Sequence, residues 1–399
     1  MHKKHWAILA LWLAIAIVLS ACSRGVAPKG TIILWHSWKE SEIPALNEVL
    51  AAFKNKYPDV TIDVLYVPFD DLRGKFETSV ATGGGPTVLI GASDWGPALY
   101  DADLVANVSD LAKSAVLNPI NDAALGAVQY KGALIGLPQT IKGVVLFRNA
   151  KIVPNPVATV DDLLKLNSTP PKGDVYNVNL ELGFFFSAAH LNGIGGKLME
   201  SNGDPAFNNA KGVEWLNLLN SFAKGGLTEY YTDNDVNLFK AGKVGIIVDG
   251  TWNMTGLAEA IGAENLAIDP WPKHSSGHLS GYVQTENIYL SANATGDAKT
   301  AGWAFMEFFL SKEAQTILTK AGHIPAIEGV TVEDKLMQQA AKAFELGTAF
   351  PVIPEMGAYW ESMDNALKSV FNENADPAAT LQKAHDSITA KIKEIRAGQ

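Results

Sequence analysis

Four short stretches of this 399-residue chain set tryptophan beside hydrogen-bonding side chains. They are Trp35-His36-Ser37-Trp38-Lys39, Ala92-Ser93-Asp94-Trp95, Asp249-Gly250-Thr251-Trp252-Asn253 and Glu355-Met356-Gly357-Ala358-Tyr359-Trp360. An indole offers a broad apolar face, and the carboxylate, ammonium and amide groups next to it make directed hydrogen bonds. A single tryptophan at the edge of an element is ordinary packing, but four such loops in one chain favour a binding role. Catalytic chemistry has less to stand on. A glycosidase needs two carboxylates about 5–9.5 Å apart; Asp94 and Asp249 are the pair that could meet across a cleft, and nothing in their spacing sets that distance. No Ser/His/Asp or Cys/His arrangement is evident. His274 and His278 lie four apart in a Ser/Gly loop without an HExxH motif or a cysteine pair, so no metal site is expected. Gly83-Gly84-Gly85 precedes a strand instead of opening a helix, which is the wrong placement for a phosphate loop. Phe305, Phe308 and Phe309 form a helical stripe that reads as core.

The four loops are positioned by an alternation of strands and helices. Thr31–Trp35 is a short apolar run and reads as a buried strand. Ile43, Leu46, Val49, Leu50, Phe53 and Tyr57 recur every three to four residues, which predicts an amphipathic helix ended by Pro58. Val60–Val67 alternates and is β-branched, a strand. A helix is expected over Asp70 to about Thr82, then a strand over Thr87–Gly91, and a later strand over Val244–Val248. The last helix starts near Pro377 and carries Leu381, Ile388, Ile392 and Ile395 on one face. Strand–helix–strand alternation implies an α/β fold with a mainly parallel sheet. In such sheets ligands lie beyond the carboxyl ends of the strands, where the tryptophan loops fall.

The amino terminus gives the compartment. Met1–His5 is basic, Trp6–Leu19 is nearly all apolar, and the run closes on Leu19-Ser20-Ala21-Cys22, whose cysteine is the only one in the protein. A basic start, an apolar stretch and small residues before a cut mark an export signal. The apolar run is shorter than the ~20 residues a span requires. The junction resembles a bacterial lipobox, which implies lipidation of Cys22, an extracytoplasmic location and a membrane tether through residues 23–30. Removing Lys3 and Lys4 takes the net charge from −10 to −12. An acidic exported chain without a basic run is no candidate for nucleic-acid binding. With no second cysteine, no internal disulfide can form. At this length two lobes or domains are expected.

Along nearly the whole mature chain, the sequence resembles the family 1 extracellular solute-binding proteins of ABC importers, the maltodextrin-binding type. The segments stand in the family's order: TIILWHSW, FKNKYPDV, GGGPTVLIGASDW, ALIGLPQTIKGVVLFRN, PAFNNAKGVEWLNLL, FKAGKVGIIVDGTW, GWAFMEFFLSKEAQ and PVIPEMGAYW. The resemblance implies a two-lobed, type II periplasmic-binding-protein-like fold with the ligand cleft between the lobes. Three crossings are expected near Ile141–Gly143, Gln284–Glu286 and Ile324–Ala326. They divide the chain into an amino-terminal lobe (31–141 plus 285–324) and a carboxy-terminal lobe (142–284 plus 325–399). The implied function is capture of a sugar, expected to be an oligosaccharide, by hinge closure, and its delivery to an ABC permease. The protein is then a monomer, without cofactor and without catalysis; a glycoside hydrolase or a receptor for a non-sugar solute is the alternative. Sugars present apolar CH faces and rims of hydroxyls, matched by aromatic rings and by polar side chains respectively. The expected ligand residues are Trp38, Lys39, Asp94, Trp95, Lys142, Phe184, Phe185, Asp249, Trp252, Glu286, Asn287, Tyr359 and Trp360. Lys142 stands where maltose binders often carry a carboxylate. It is expected to bond hydroxyls or an acidic sugar, or to pair with a cleft acid such as Asp94. Glu286 and Asn287 are expected either to face the ligand or to serve the hinge.

Overall fold

The computed structural model describes residues 27–398. The expected export segment, the expected lipidation site Cys22 and residues 23–26 lie outside the described residues. Eight strands form the main path of an 11-stranded sheet: β1 (Gly30–His36), β2 (Val60–Tyr66), β3 (Val88–Ala92), β4 (Leu137–Asn149), β5 (Tyr176–Glu181), β6 (Leu227–Glu229), β7 (Val244–Gly250) and β8 (Tyr282–Leu290). Their spatial order is β2-β1-β3-β8-β4-β7-β5-β6, with three short strands attached to β4 and β8. The first strand opens one residue earlier than expected. Gly30 pairs with Val60 and donates its N–H to Asp59 O, so the fold begins within the stretch read as tether.

The helices form where their apolar periodicity places them. The helix Ile43–Lys56 buries Leu46, Val49 and Phe53, and the helix Phe69–Ala81 buries Leu72, Phe76 and Val80. Phe305, Phe308 and Phe309 are core residues, as their stripe implies. Among the described residues no helix is long and apolar enough to cross a membrane.

Along its main path the sheet is parallel only on its flanks. β2, β1 and β3 run parallel, and so do β7, β5 and β6. Between the flanks β8 pairs antiparallel with β3 and with β4, and β4 pairs antiparallel with β7. The reason is that β4 and β8 pass between the two halves in opposite directions. Leu137 packs in the core of the first half, with Ile32, Phe53, Ile90 and Phe305. Val144, on the same strand, packs in the second, with Phe184, Trp215 and Tyr282. β8 does the same from Tyr282 to Ile288. Further on, Ile324 packs with the second half, whereas Ala326 and Ile327 rejoin the first. Glu328 still donates its N–H to Pro119 O. The chain stays with the first half as far as Val330, which packs against its core, and Val332 joins the second; the expected bound was residue 324.

The ladder registers show how the two sets of strand ends face each other. Ala92, at the carboxyl end of β3, is level with Glu286 of β8, which is level with Thr140 of β4. Gly250, at the carboxyl end of β7, is level with Val144 of β4. β3 runs with β4 and β7 runs against it, so the two sets of carboxyl ends point at each other over four residues of β4, roughly 13 Å at the strand rise.

Candidate functional site

A buried ion cluster lies where the chain passes between the halves. Lys142 of β4 has its Nζ 3.1 Å from Glu42 Oε1 and 3.3 Å from Glu286 Oε2. His323 Nε2 lies 2.7 Å from the same Glu42 oxygen. Glu42 Oε2 accepts the Lys39 N–H at 2.7 Å, and Trp38 Nε1 donates to Glu286 Oε2 at 2.8 Å. The Trp38 ring meets His323 edge-on at 4.5 Å. Burial alone would push the Glu42 carboxyl up, but Lys142, His323 and the Lys39 amide together hold it at about 2. Burial likewise opposes the Lys142 charge, and Glu286 and Glu42 overcome it, raising its pKa. Lys142 thus pairs with Glu42 and Glu286, not with Asp94. Glu286 serves this cluster. Asn287 is fully buried and bonds Thr285, Tyr289 and Ala127 O.

The second half presents an aromatic wall. Gly250 ends β7, and a Cβ there would lie 2.1 Å from the Trp252 ring, so only glycine lets the indole fold back over the strand end. Asp249 holds that turn by accepting the Gly250 N–H and the Asn253 Nδ2, the latter at 3.0 Å; burial pushes its pKa up. Trp252 is 6.1 Å from Phe185, and Phe185 stacks on Trp360 at 6.3 Å with 25° between planes. Phe186 adjoins Trp252 at 6.4 Å, and Phe350 adjoins Trp360 at 6.0 Å. Trp252, Phe185 and Trp360 are each partly exposed. Behind them Glu181, at the end of β5, accepts N–H bonds from Gly183 and Tyr231. Its pKa is pushed up to about 7, first by burial and then by the Asp249 and Glu229 charges.

The first half offers Lys39, exposed after β1, and Asp94, half-buried after β3. Burial pushes Asp94 up to about 6, with Arg73 acting against it. Among the described residues no group of three or more His, Cys, Asp or Glu could hold a metal ion.

Besides Lys142 and Asp249, which are buried and engaged as described, five residues expected at a ligand do not present their side chains to the cleft. Trp38 is 2% exposed and is held by Glu286. Trp95 packs against Gly91 and beneath Phe69. Phe184 is core, edge-on to Trp360 at 5.5 Å. Tyr359 is core and its hydroxyl donates to Gly203 O. Asn287 is the fifth. Each sits one step from a more exposed neighbour, because successive residues point to opposite faces of a strand and about 100° apart around a helix. Sequence reasoning missed Glu42, His323, Phe186, Tyr66, Phe69 and Tyr231. Tyr66 and Phe69 carried a usable signal, since they flank the carboxyl end of the second strand just as Trp38 and Asp94 follow the first and third. Glu42 and His323 carried none, because only the fold brings them 281 positions together.

The structure and sequence both have known counterparts. The maltotriose-binding protein of Pyrococcus abyssi is 22% identical over 387 residues, covering 91% of this chain and 83% of its own. The galactooligosaccharide-binding protein of Bacillus subtilis is 23% identical, covering 99% of both chains. The maltose/maltodextrin-binding domain of Bdellovibrio bacteriovorus, solved with maltotriose, superposes with a TM-score of 0.83 at 21% identity, covering 91% of this chain and all of that one. This likeness shows a two-lobed, type II periplasmic-binding-protein-like α/β fold. The model of the bacterial extracellular solute-binding proteins matches residues 48–346. The chain belongs to that family: it is a bacterial extracellular solute-binding protein.

Proposed function

We propose that this protein is a lipid-anchored receptor outside the cytoplasmic membrane that captures an oligosaccharide and delivers it to an ABC permease without altering it. The reading rests above all on the run Trp252–Phe185–Trp360 at the strand ends of one half, opposite Lys39 and Asp94 on the other. Flat rings cover sugar CH faces, and charged and amide groups bond the hydroxyl rims. The halves act as lobes, residues 31–141 and 285–330 against 142–284 and the rest. β4 and β8 serve as the hinge, and a ligand touching both walls favours the closed state. Relatives named for maltotriose, maltodextrin and galactooligosaccharides support a sugar of more than one unit. Because two carboxylates already neutralise Lys142, a neutral sugar fits better than an acidic one.

Thermal melts with maltose, maltotriose, maltotetraose and galactooligosaccharides test this. A bound sugar should raise the Tm as RT ln(1 + [L]/Kd) and be recovered intact. Hydrolysis of the sugar would make the protein an enzyme. Tight binding of an amino acid or polyamine, with every sugar inert, would assign another solute. The anchor is a separate question: Cys22→Ala should release the protein from the membrane fraction or stop its processing, and unchanged fractionation would remove the lipid from the account.

A further inference from the structure

Seven large apolar side chains are exposed among the described residues, and five of them gather at one edge of the sheet: Ile33, Val64, Leu65, Tyr66 and Phe69. Ile33 belongs to β1, the next three end β2, and Phe69 opens the following helix. β2 is the outermost strand on this side and has no strand on its outer edge among the described residues. Asp63 is its one charged residue. Edge strands are ordinarily blunted by charges, by proline or by a covering element. This one carries exposed apolar side chains on both faces, Val64 and Tyr66 on one and Leu65 on the other.

The ladder decides which backbone groups are bare. Gly30 donates to Asp59 O and Val67 donates to His36 O, so the odd-numbered residues of β2 bond β1, and Val60, Ile62, Val64 and Tyr66 face outward. Val60 is already engaged: its N–H bonds Tyr57 O at 3.1 Å, and its carbonyl accepts Lys54 Nζ at 2.7 Å. Ile62, Val64 and Tyr66 are left, evenly spaced, and such a row is self-complementary about a twofold axis at Val64. Ile62 then meets Tyr66 of a second copy, and Val64 meets its own counterpart. Other axes do worse. At Asp63 two aspartates lie directly opposite, which is destabilising. At Ile62 the engaged Val60 is called on, and at Leu65 Ile62 falls opposite Pro68, which has no N–H.

The charges match in the same register. Asp63 falls opposite Leu65 of the second copy. Leu65 is level with Trp35, and Lys75 Nζ lies 5.3 Å from the Trp35 ring centre, over the face that Leu65 and Asp63 share. Neither Asp63 nor Lys75 makes an ion pair among the described residues. At the end of the pairing Lys54, fixed on Val60, comes beside Pro68 of the second copy, next to the exposed Asp70 and Asp71.

We propose that two copies of this chain pair antiparallel through β2 about a twofold axis at Val64, joining their sheets into one. Each facing pair of outward residues exchanges two backbone hydrogen bonds, and Asp63 of each copy meets Lys75 of the other. The monomer that the family resemblance implies gives way to a reversible pair, since so short a contact belongs to the weak end of protein interfaces. The two β2 strands run in opposite directions, so the two clefts open on opposite sides of the joined sheet.

The test is oxidative cross-linking of the full chain in the cells that produce it, with Val64→Cys and Asp63→Cys. Cys22 is the one native cysteine and is present in every sample, so wild type sets the background. Facing residues at position 64 have Cα atoms about 5.5 Å apart, within the span of a disulfide, whereas the two copies of position 63 lie diagonally at about 7–8 Å, beyond it. Val64→Cys should therefore give a disulfide-linked pair and Asp63→Cys should stay at background. Adding Lys75→Asp to Val64→Cys sets aspartates together and should lower the cross-linked fraction about tenfold; adding Asp63→Lys as well should restore it. Both cysteine sites are exposed on an edge strand, so each variant keeps its fold. Equal cross-linking at 63 and 64 would mean chance collision and overturn the pair. So would no cross-link at 64, no response to Lys75→Asp, or a link from 64 to a different protein.

Discussion

Lys142→Met is expected to destabilise the protein by about 3–5 kcal/mol, the cost of leaving a buried charge without its partner. Methionine fills nearly the same volume, so the effect is electrostatic. Glu42 and Glu286 would then share a buried pocket with only His323 and local N–H groups to offset them. A double variant, Lys142→Met with Glu42→Gln, should lose less than the two single losses added, because one stranded charge is gone. The acid limb gives a second readout. Glu42 is held at about 2 in the fold against 4.5 unperturbed. Its contribution is therefore complete above about pH 4.5 and disappears as pH falls towards 2. Without Lys142 much of that depression goes, and stability should fall less steeply with acid. Urea denaturation between pH 3 and pH 7 measures both. A variant that melts like wild type but no longer binds sugar would put Lys142 at the ligand and dissolve the cluster as a structural unit.

Trp252→Ala and Trp360→Ala should each weaken sugar binding by roughly ten- to hundred-fold, from about 1–3 kcal/mol of lost apolar contact. Both rings are partly exposed and both lean on Phe185. Each substitution will therefore cost some stability in the sugar-free protein, but less than the ~3–5 kcal/mol typical of a core tryptophan. Titration and melting on the same samples separate the two quantities. Unchanged affinity with a sharply lower Tm would return these residues to the core.

The strands and helices were legible in the sequence because their signals are local. A period near 3.6 gave the helices, and β-branched runs before glycine or proline gave the strands. The tryptophan loops were legible because strand ends are where such sheets bind. What stayed hidden depended on facing. Trp38 and Trp252 occupy similar loops, yet one is buried on a glutamate from a distant strand and the other lies over a glycine in the open cleft. Composition cannot tell these apart. The role of Lys142 was hidden for a similar reason: its partners lie 100 and 144 positions away, Glu286 meeting it through the ladder of β4 and β8 and Glu42 from the turn that follows β1.

The placement of β8 has a consequence for how this protein can be taken apart. It lies between β3 and β4, although it is made long after both. A fragment ending near residue 140 would leave β3 with a bare edge, and a fragment starting there would carry β8 without its β3 partner. Neither half is a module that can be expressed, swapped or inherited alone. A ribosome must finish most of the chain before the first half can close its own sheet, and an exported protein does that outside the membrane.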